Sequence, residues 1–73
     1  MKPDMIPVES SAFSHYGHDE QAGEIHFSFH SGGRHAYPIT PEKFQEFLKS
    51  DSKGKWFHKN IDKARGRKVS EQS

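Results

Sequence analysis

The residues able to do chemistry in this chain crowd toward its C-terminal end. Between positions 49 and 68 stand eight basic residues (Lys49, Lys53, Lys55, Lys59, Lys63, Arg65, Arg67 and Lys68) against two acids, Asp51 and Asp62. The preceding 48 residues carry only Lys2, Arg34 and Lys43 against seven acids, so the net charge of +1 averages over a strong asymmetry. Lys55, Lys59 and Lys63 recur at i, i+4 and i+8, the spacing of one helix face, and Arg65, Arg67 and Lys68 extend that face. A straight helix spreads such a ridge over about 15–20 Å, enough to meet several phosphates. Phosphate contact gives affinity without sequence choice, and rings such as those of Tyr37 and His35 give unpaired bases something to stack on. The expected partner is RNA or another single-stranded nucleic acid. A charge run on a helix also arises from solvation alone. The alternative function is therefore a protein-interaction module, an inhibitor or adaptor of a partner protein, working through the polar sheet face or an exposed edge strand.

Other chemistries find less support. Six histidines in 73 residues invite a metal reading, but His26 and His30 lie about 13 Å apart along an extended strand. The spacings of His15, His18 and His35 match no standard zinc pattern. With no cysteine in the chain there is neither a thiolate metal site nor a cysteine nucleophile. No metal and no cofactor is expected. Ser10 and Ser11 precede a strand outside any Gly-x-Ser-x-Gly elbow, and their expected work is to satisfy backbone groups. Glu42 and Glu46 sit at i, i+4, on the side of their helix opposite its apolar stripe, where a carboxylate faces solvent. Neither Gly-x-Gly-x-x-Gly nor a Walker loop occurs. A non-enzymatic role follows.

The elements that must position these residues are few, because 73 residues make one small domain. Hydrophobic residues are only 30% of the chain and aromatic residues 12%, so rings must form much of the core. No apolar stretch approaches the ~18–20 residues of a membrane span, and no signal-peptide core opens the chain. A soluble cytoplasmic protein without a membrane partner is expected.

In Glu24-Ile25-His26-Phe27-Ser28-Phe29-His30 the apolar residues alternate over seven positions, the mark of a half-buried strand with His26, Ser28 and His30 on its outer face. Gly32-Gly33 suits a tight hairpin turn, with Arg34-His35-Ala36-Tyr37 as the returning strand, closed by Pro38 and Pro41. Residues 12–18 make a first strand, in which Phe13 and Tyr16 share the core face only through a bulge or bend, conveniently at Gly17. Thr40-Pro41-Glu42 reads as a helix start, and Phe44, Phe47 and Leu48 form its apolar stripe. A second helix, capped by Asp51 or Ser52 and running to about Ala64, turns Trp56, Phe57, Asn60, Ile61 and Ala64 to one side.

The fold class is accordingly α+β: a three-stranded antiparallel meander packed against two C-terminal helices. The expected core is Phe13, Ile25, Phe27, Phe29, Tyr37, Phe44, Phe47, Leu48, Phe57 and Ile61. Residues 1–7 and 66–73 are expected to be tails around a domain at 8–65.

The order of these segments resembles the KTSC domain family, small bacterial and phage proteins whose domain also occurs at the C-terminus of some lysyl-tRNA synthetases. The resemblance rests on Val8-Glu9-Ser10-Ser11-Ala12-Phe13, Gly17-His18-Asp19, Ile25-His26-Phe27-Ser28-Phe29, the turn and Tyr37, and Ser52-Lys53-Gly54-Lys55-Trp56-Phe57 running to Ile61. It covers roughly residues 8–64. The central Tyr-x-Tyr of the family reads His35-Ala36-Tyr37 here, so the second tyrosine alone is kept. Asp62 places a negative charge in the basic face. The resemblance implies an accessory module of bacterial or phage origin for which RNA binding has been suggested.

Overall fold

A computed structural model describes residues 4–69 of the chain, with Lys63 described through its backbone and not its side chain. The strands are Ile6–Pro7 (β1), Phe13–Asp19 (β2), Glu24–Phe29 (β3), Arg34–Pro38 (β4) and Arg67–Val69 (β5). The helices are Pro41–Lys49 (α1) and Lys53–Asn60 (α2), followed by a 3-10 turn at Lys63–Arg65. All five strands form one antiparallel sheet in chain order.

The α+β class and the two helices stand as expected, but the sheet has five strands rather than three. Both additions come from segments taken for tails: Ile6 and Pro7 pair with Tyr16 and His15, and Arg67–Val69 pair with Ala36, His35 and Arg34. Of those tails, residues 1–3 and 70–73 lie outside the described residues.

The central hairpin forms where the sequence places it. Gly32 and Gly33 take φ of +89° and +87°, successive left-handed positions that glycine adopts without a Cβ clash. The turn closes through Gly32 N–H to the Phe29 carbonyl at 3.0 Å and Phe29 N–H to the Gly33 carbonyl at 3.1 Å. In β2 the irregularity falls at Ser14 rather than Gly17: Phe13 pairs with Phe29 and His15 with Ser28, leaving Ser14 as the extra residue. Its hydroxyl donates to the Ser28 carbonyl at 3.2 Å, which satisfies a group near the break in the ladder. One inserted residue shifts the alternation by one, so Phe13 and Tyr16 both reach the core. Gly17 pairs regularly with His26.

Helix α1 starts on the Thr40 cap, whose Oγ1 accepts the Lys43 N–H at 3.2 Å, with Pro41 in its first turn. Helix α2 stops at Asn60, four residues short of the expected end. Ile61 is extended there, at ψ 127°, and Asp62 begins the next turn itself: its Oδ1 accepts the Ala64 N–H at 3.0 Å and its carbonyl the Arg65 N–H at 3.0 Å. An aspartate that offers the backbone this alternative partner ends a helix.

Both helices cover one sheet face. Phe13, Tyr16, Ile25, Phe27, Tyr37, Ile39, Phe47, Trp56, Phe57 and Ile61 form the core, with Val8, Ala12, Phe29 and Phe44 packed partly buried against it. Leu48, expected inside, is 39% exposed, because nine residues of helix present one narrow stripe and that stripe centres on Phe47. Phe44 instead stacks on His18 at 3.9 Å between ring centroids. The outer sheet face also departs from expectation: His26, expected to face water or a partner, is 3% exposed.

Phe27 touches the rings of Phe13 at 4.4 Å, Phe57 at 4.9 Å and Phe47 at 5.7 Å between centroids. Phe27→Ala is expected to cost about 3–5 kcal/mol, which is about all that one small core supplies. Far-UV circular dichroism should find that variant largely unfolded at room temperature. Leu48→Ala should lower the melting temperature by no more than a few degrees.

Candidate nucleic-acid interface

The expected ridge does not exist as one line of cations. Lys55 and Lys59 are exposed on the outer side of α2, as their i, i+4 spacing requires. The helix then ends, so Lys63 enters a separate 3-10 turn, and its side chain lies outside the described residues. Arg65 is exposed and stands 3.9 Å from the Asp62 carboxylate three residues earlier. Arg67 and Lys68 lie on a strand, where neighbouring side chains leave opposite faces.

Arg67 goes to the outer face and is held there by a carboxylate of the same chain. Its Nε donates to Glu24 Oε2 at 2.9 Å and its Nη2 to Oε1 at 2.6 Å, a two-pronged charged pair. The guanidinium's hydrogen bonds hold the Glu24 carboxyl below its ordinary range. Arg67 is thereby spent on the fold and withdrawn from the anion-binding set.

Lys68 stands directly opposite His35, so both leave the sheet on the helix side. His35 meets the Phe29 ring edge-on at 5.6 Å. Tyr37 cannot stack on a base as expected, because it is only 6% exposed and packs on Phe57 at 5.4 Å. Its hydroxyl pKa is raised by that burial.

These contacts instead outline a shallow groove of about 390 Å³ where the aromatic layer reaches the surface, lined by Ala12, Phe29, Tyr37, Phe57 and His58. Phe29 is half-buried at its edge, and His58 is exposed on α2 beside Lys55 and Lys59. From Phe29 the line continues through His35 to Lys68. The structure thus keeps Lys55 and Lys59 on the helix that supplies Phe57 and His58 and sets Lys68 opposite His35, while Arg65 lies in a separate turn and Arg67 on the outer sheet face. Ala12, Phe29, Phe57 and His58 were not singled out as site residues in the sequence. The only signal was that Phe29 ends its strand at the Gly-Gly turn, where a core position meets solvent.

A second cleft, of about 320 Å³, opens between α1, α2 and the 3-10 turn and includes Lys43 and Arg65. Both cations already have acids beside them: Lys43 lies 3.7 Å from Glu46, and Arg65 has Asp62. Lys55, Lys59 and Lys68, by contrast, have no carboxylate partner among the described residues.

The position of β5 rests on Gly66. A Cβ built there would overlap the Tyr37 ring, at 2.8 Å from Cδ2 and 2.9 Å from Cζ, with Cε2 nearer still. The backbone passes flat against the ring before pairing with β4. Gly54 is placed similarly: a Cβ would meet Ser10 Oγ at 2.9 Å, so the Ser10-Ser11 and Ser52-Lys53-Gly54 segments pack on each other. Ser10 Oγ also accepts the Ala12 N–H at 3.1 Å.

Comparison with known proteins identifies the fold. The model of the KTSC domain matches residues 9–64. The crystal structure of a KTSC domain protein from Yersinia pestis superposes with a TM-score of 0.84 at 25% sequence identity, over 94% of this chain and 100% of that one. No curated protein matches the chain.

Gly66→Ala is expected to cost about 1–3 kcal/mol, as overpacking does, and to loosen β5 from β4. Faster amide hydrogen exchange at Arg34–Ala36 than at Ile25–Phe27 in the variant would show that loss; equal exchange in the two strands would contradict it.

Proposed function

The chain belongs to the KTSC domain family, and we propose that this member is a non-enzymatic accessory module that holds single-stranded nucleic acid, RNA foremost, with modest affinity. One observation carries the proposal: Lys55, Lys59 and Lys68 are exposed without acid partners among the described residues, the first two on the helix that gives a groove its Phe57 and His58, the third opposite His35, which meets the groove's Phe29. Ammonium groups neutralise phosphates, and a ring edge open to solvent accepts a base face regardless of its identity. Both contributions are independent of sequence, so a tolerant binder is the outcome.

The serines support a role without catalysis, since Ser10 and Ser14 make backbone contacts inside the fold. No helix among the described residues is long and apolar enough to cross a membrane; an RNA partner would place the protein in the cytoplasm. The protein-interaction reading has its own observation. Strand β1 covers only His15 and Tyr16 of β2, which leaves the edge at 17–19 open among the described residues to an added strand.

Fluorescence anisotropy with labelled single-stranded RNA and DNA separates the two. Nucleic-acid binding predicts an affinity that falls steeply with salt. Replacing Lys55, Lys59 and Lys68 by Ala together should flatten the log–log slope by about 2, at ~0.7 per phosphate contact on single strands. Binding that is absent at low salt, or whose slope the triple variant leaves unchanged, would eliminate the nucleic-acid reading.

A further inference from the structure

We propose that Asp19, Glu24 and His26 form a binding site for a divalent transition metal, zinc-like in preference, on the outer face of the sheet. This site is independent of the groove on the helix side. Glu24 and His26 alternate on β3 and so share the outer face, while Asp19 pairs directly with Glu24 across the first hairpin. One donor atom from each lies within 4.8 Å of the other two, and His26 Nε2 is 3.9 Å from Glu24 Oε1. Donors at about 2.0–2.2 Å from one ion in a tetrahedral site stand roughly 3.3–3.6 Å apart. The histidine and Glu24 exceed that span by a few tenths of an ångström, and the three close on an ion through side-chain shifts of up to roughly 1.5 Å.

The second observation is the condition of His26 itself. It is 3% exposed, and neither ring nitrogen has a hydrogen-bond partner among the described residues. A neutral imidazole carries one donor and one acceptor, and burying both unpaired costs on the order of 1–3 kcal/mol per group. An ion at the carboxylates relieves the acceptor and explains why a histidine is tolerated here. His26 lies in the lateral row Gly17, His26, Ala36, Arg67, and the Arg67 side chain leaves that row to reach Glu24.

The protonation states suit ligation. Burial, followed by the charge of Arg34, holds the His26 pKa below its ordinary value, which keeps a lone pair free at neutral pH. Glu24 is held ionised by Arg67. A carboxylate has about four acceptor positions, and Arg67 uses one on each oxygen, as outer-shell partners of metal-bound carboxylates do. One nitrogen and two carboxylate ligands with an open fourth position match zinc or cobalt better than calcium, which prefers six to eight oxygens. The guanidiniums of Arg34 and Arg67 nearby oppose a cation and set a modest affinity.

The test titrates cobalt(II) and zinc into untagged, chelator-treated full-length protein. Expected are one equivalent bound per chain, visible d–d bands from cobalt, and perturbation of the His26 ring resonances. Asp19→Asn keeps the oxygen that accepts the Ala22 N–H, and Glu24→Gln is isosteric. Each should weaken binding at least about tenfold while leaving the far-UV spectrum unchanged. Three results would overturn the site: no bound metal, binding that both variants leave intact (which moves it to other histidines), or a zinc-soaked crystal in which water alone contacts His26.

Discussion

Everything in this fold hangs on a layer of rings with no aliphatic filler to spare. Phe13 and Phe27 meet each other, and each meets Phe47 and Phe57, at centroid distances between 4.4 and 6.3 Å. Most cross at steep angles, as aromatic pairs prefer. Two belong to strands and two to helices, so the contacts that fill the core are the same ones that fasten the helices to the sheet. Helices of nine and eight residues are too short to persist by themselves; α1 and α2 exist because Phe47, Trp56 and Phe57 have rings to land on. The bulge at Ser14 belongs to the same constraint, since without the extra residue Phe13 and Tyr16 would point to opposite faces. Where the layer runs out, at Phe29, aromatic surface meets water, and the groove is that boundary.

What the sequence discloses about this chain follows how local each cause is. The alternation in β3, the Gly32-Gly33 turn and the Thr40-Pro41 helix start are each decided within a few residues, and all three were readable. Strands β1 and β5 were not. A two-residue strand ending in proline and a three-residue Arg-Lys-Val strand carry no apolar alternation, because each lies at a sheet edge and takes its pairing from a distant neighbour. The early stop of α2 was hidden for a related reason. Helical spacing of Trp56, Phe57, Ile61 and Ala64 continues past Asn60, yet the Asp62 side chain captures the backbone first. His26 was misread because period-2 logic assigns a face and says nothing about what lies beside it. His26 lies in a row with Gly17, Ala36 and Arg67 of three other strands, a lateral register that no stretch of sequence displays.

The fate of the basic run shows why charge along a chain is a poor guide to charge on a surface. On a helix, residues at i, i+4 and i+8 share a face, and six cations from 55 to 68 would have made one electrostatic ridge. Past Asn60 the chain is a 3-10 turn and then a strand, whose period of two sends Arg67 and Lys68 to opposite sides. Arg67 spends its charge on Glu24, across the sheet from where a phosphate would lie. Lys68 alone of that pair is delivered to the ring side, opposite His35. The cationic surface is therefore smaller than the composition implies, and its cations are divided between α2, the 3-10 turn and the two faces of β5. The same division gives β5 two consequences at once: its outer residue fixes the carboxylate beside His26, and its inner residue stands near the groove. Both depend on Gly66 lying flat on Tyr37, since a chain held further from that ring could not bring either side chain into place.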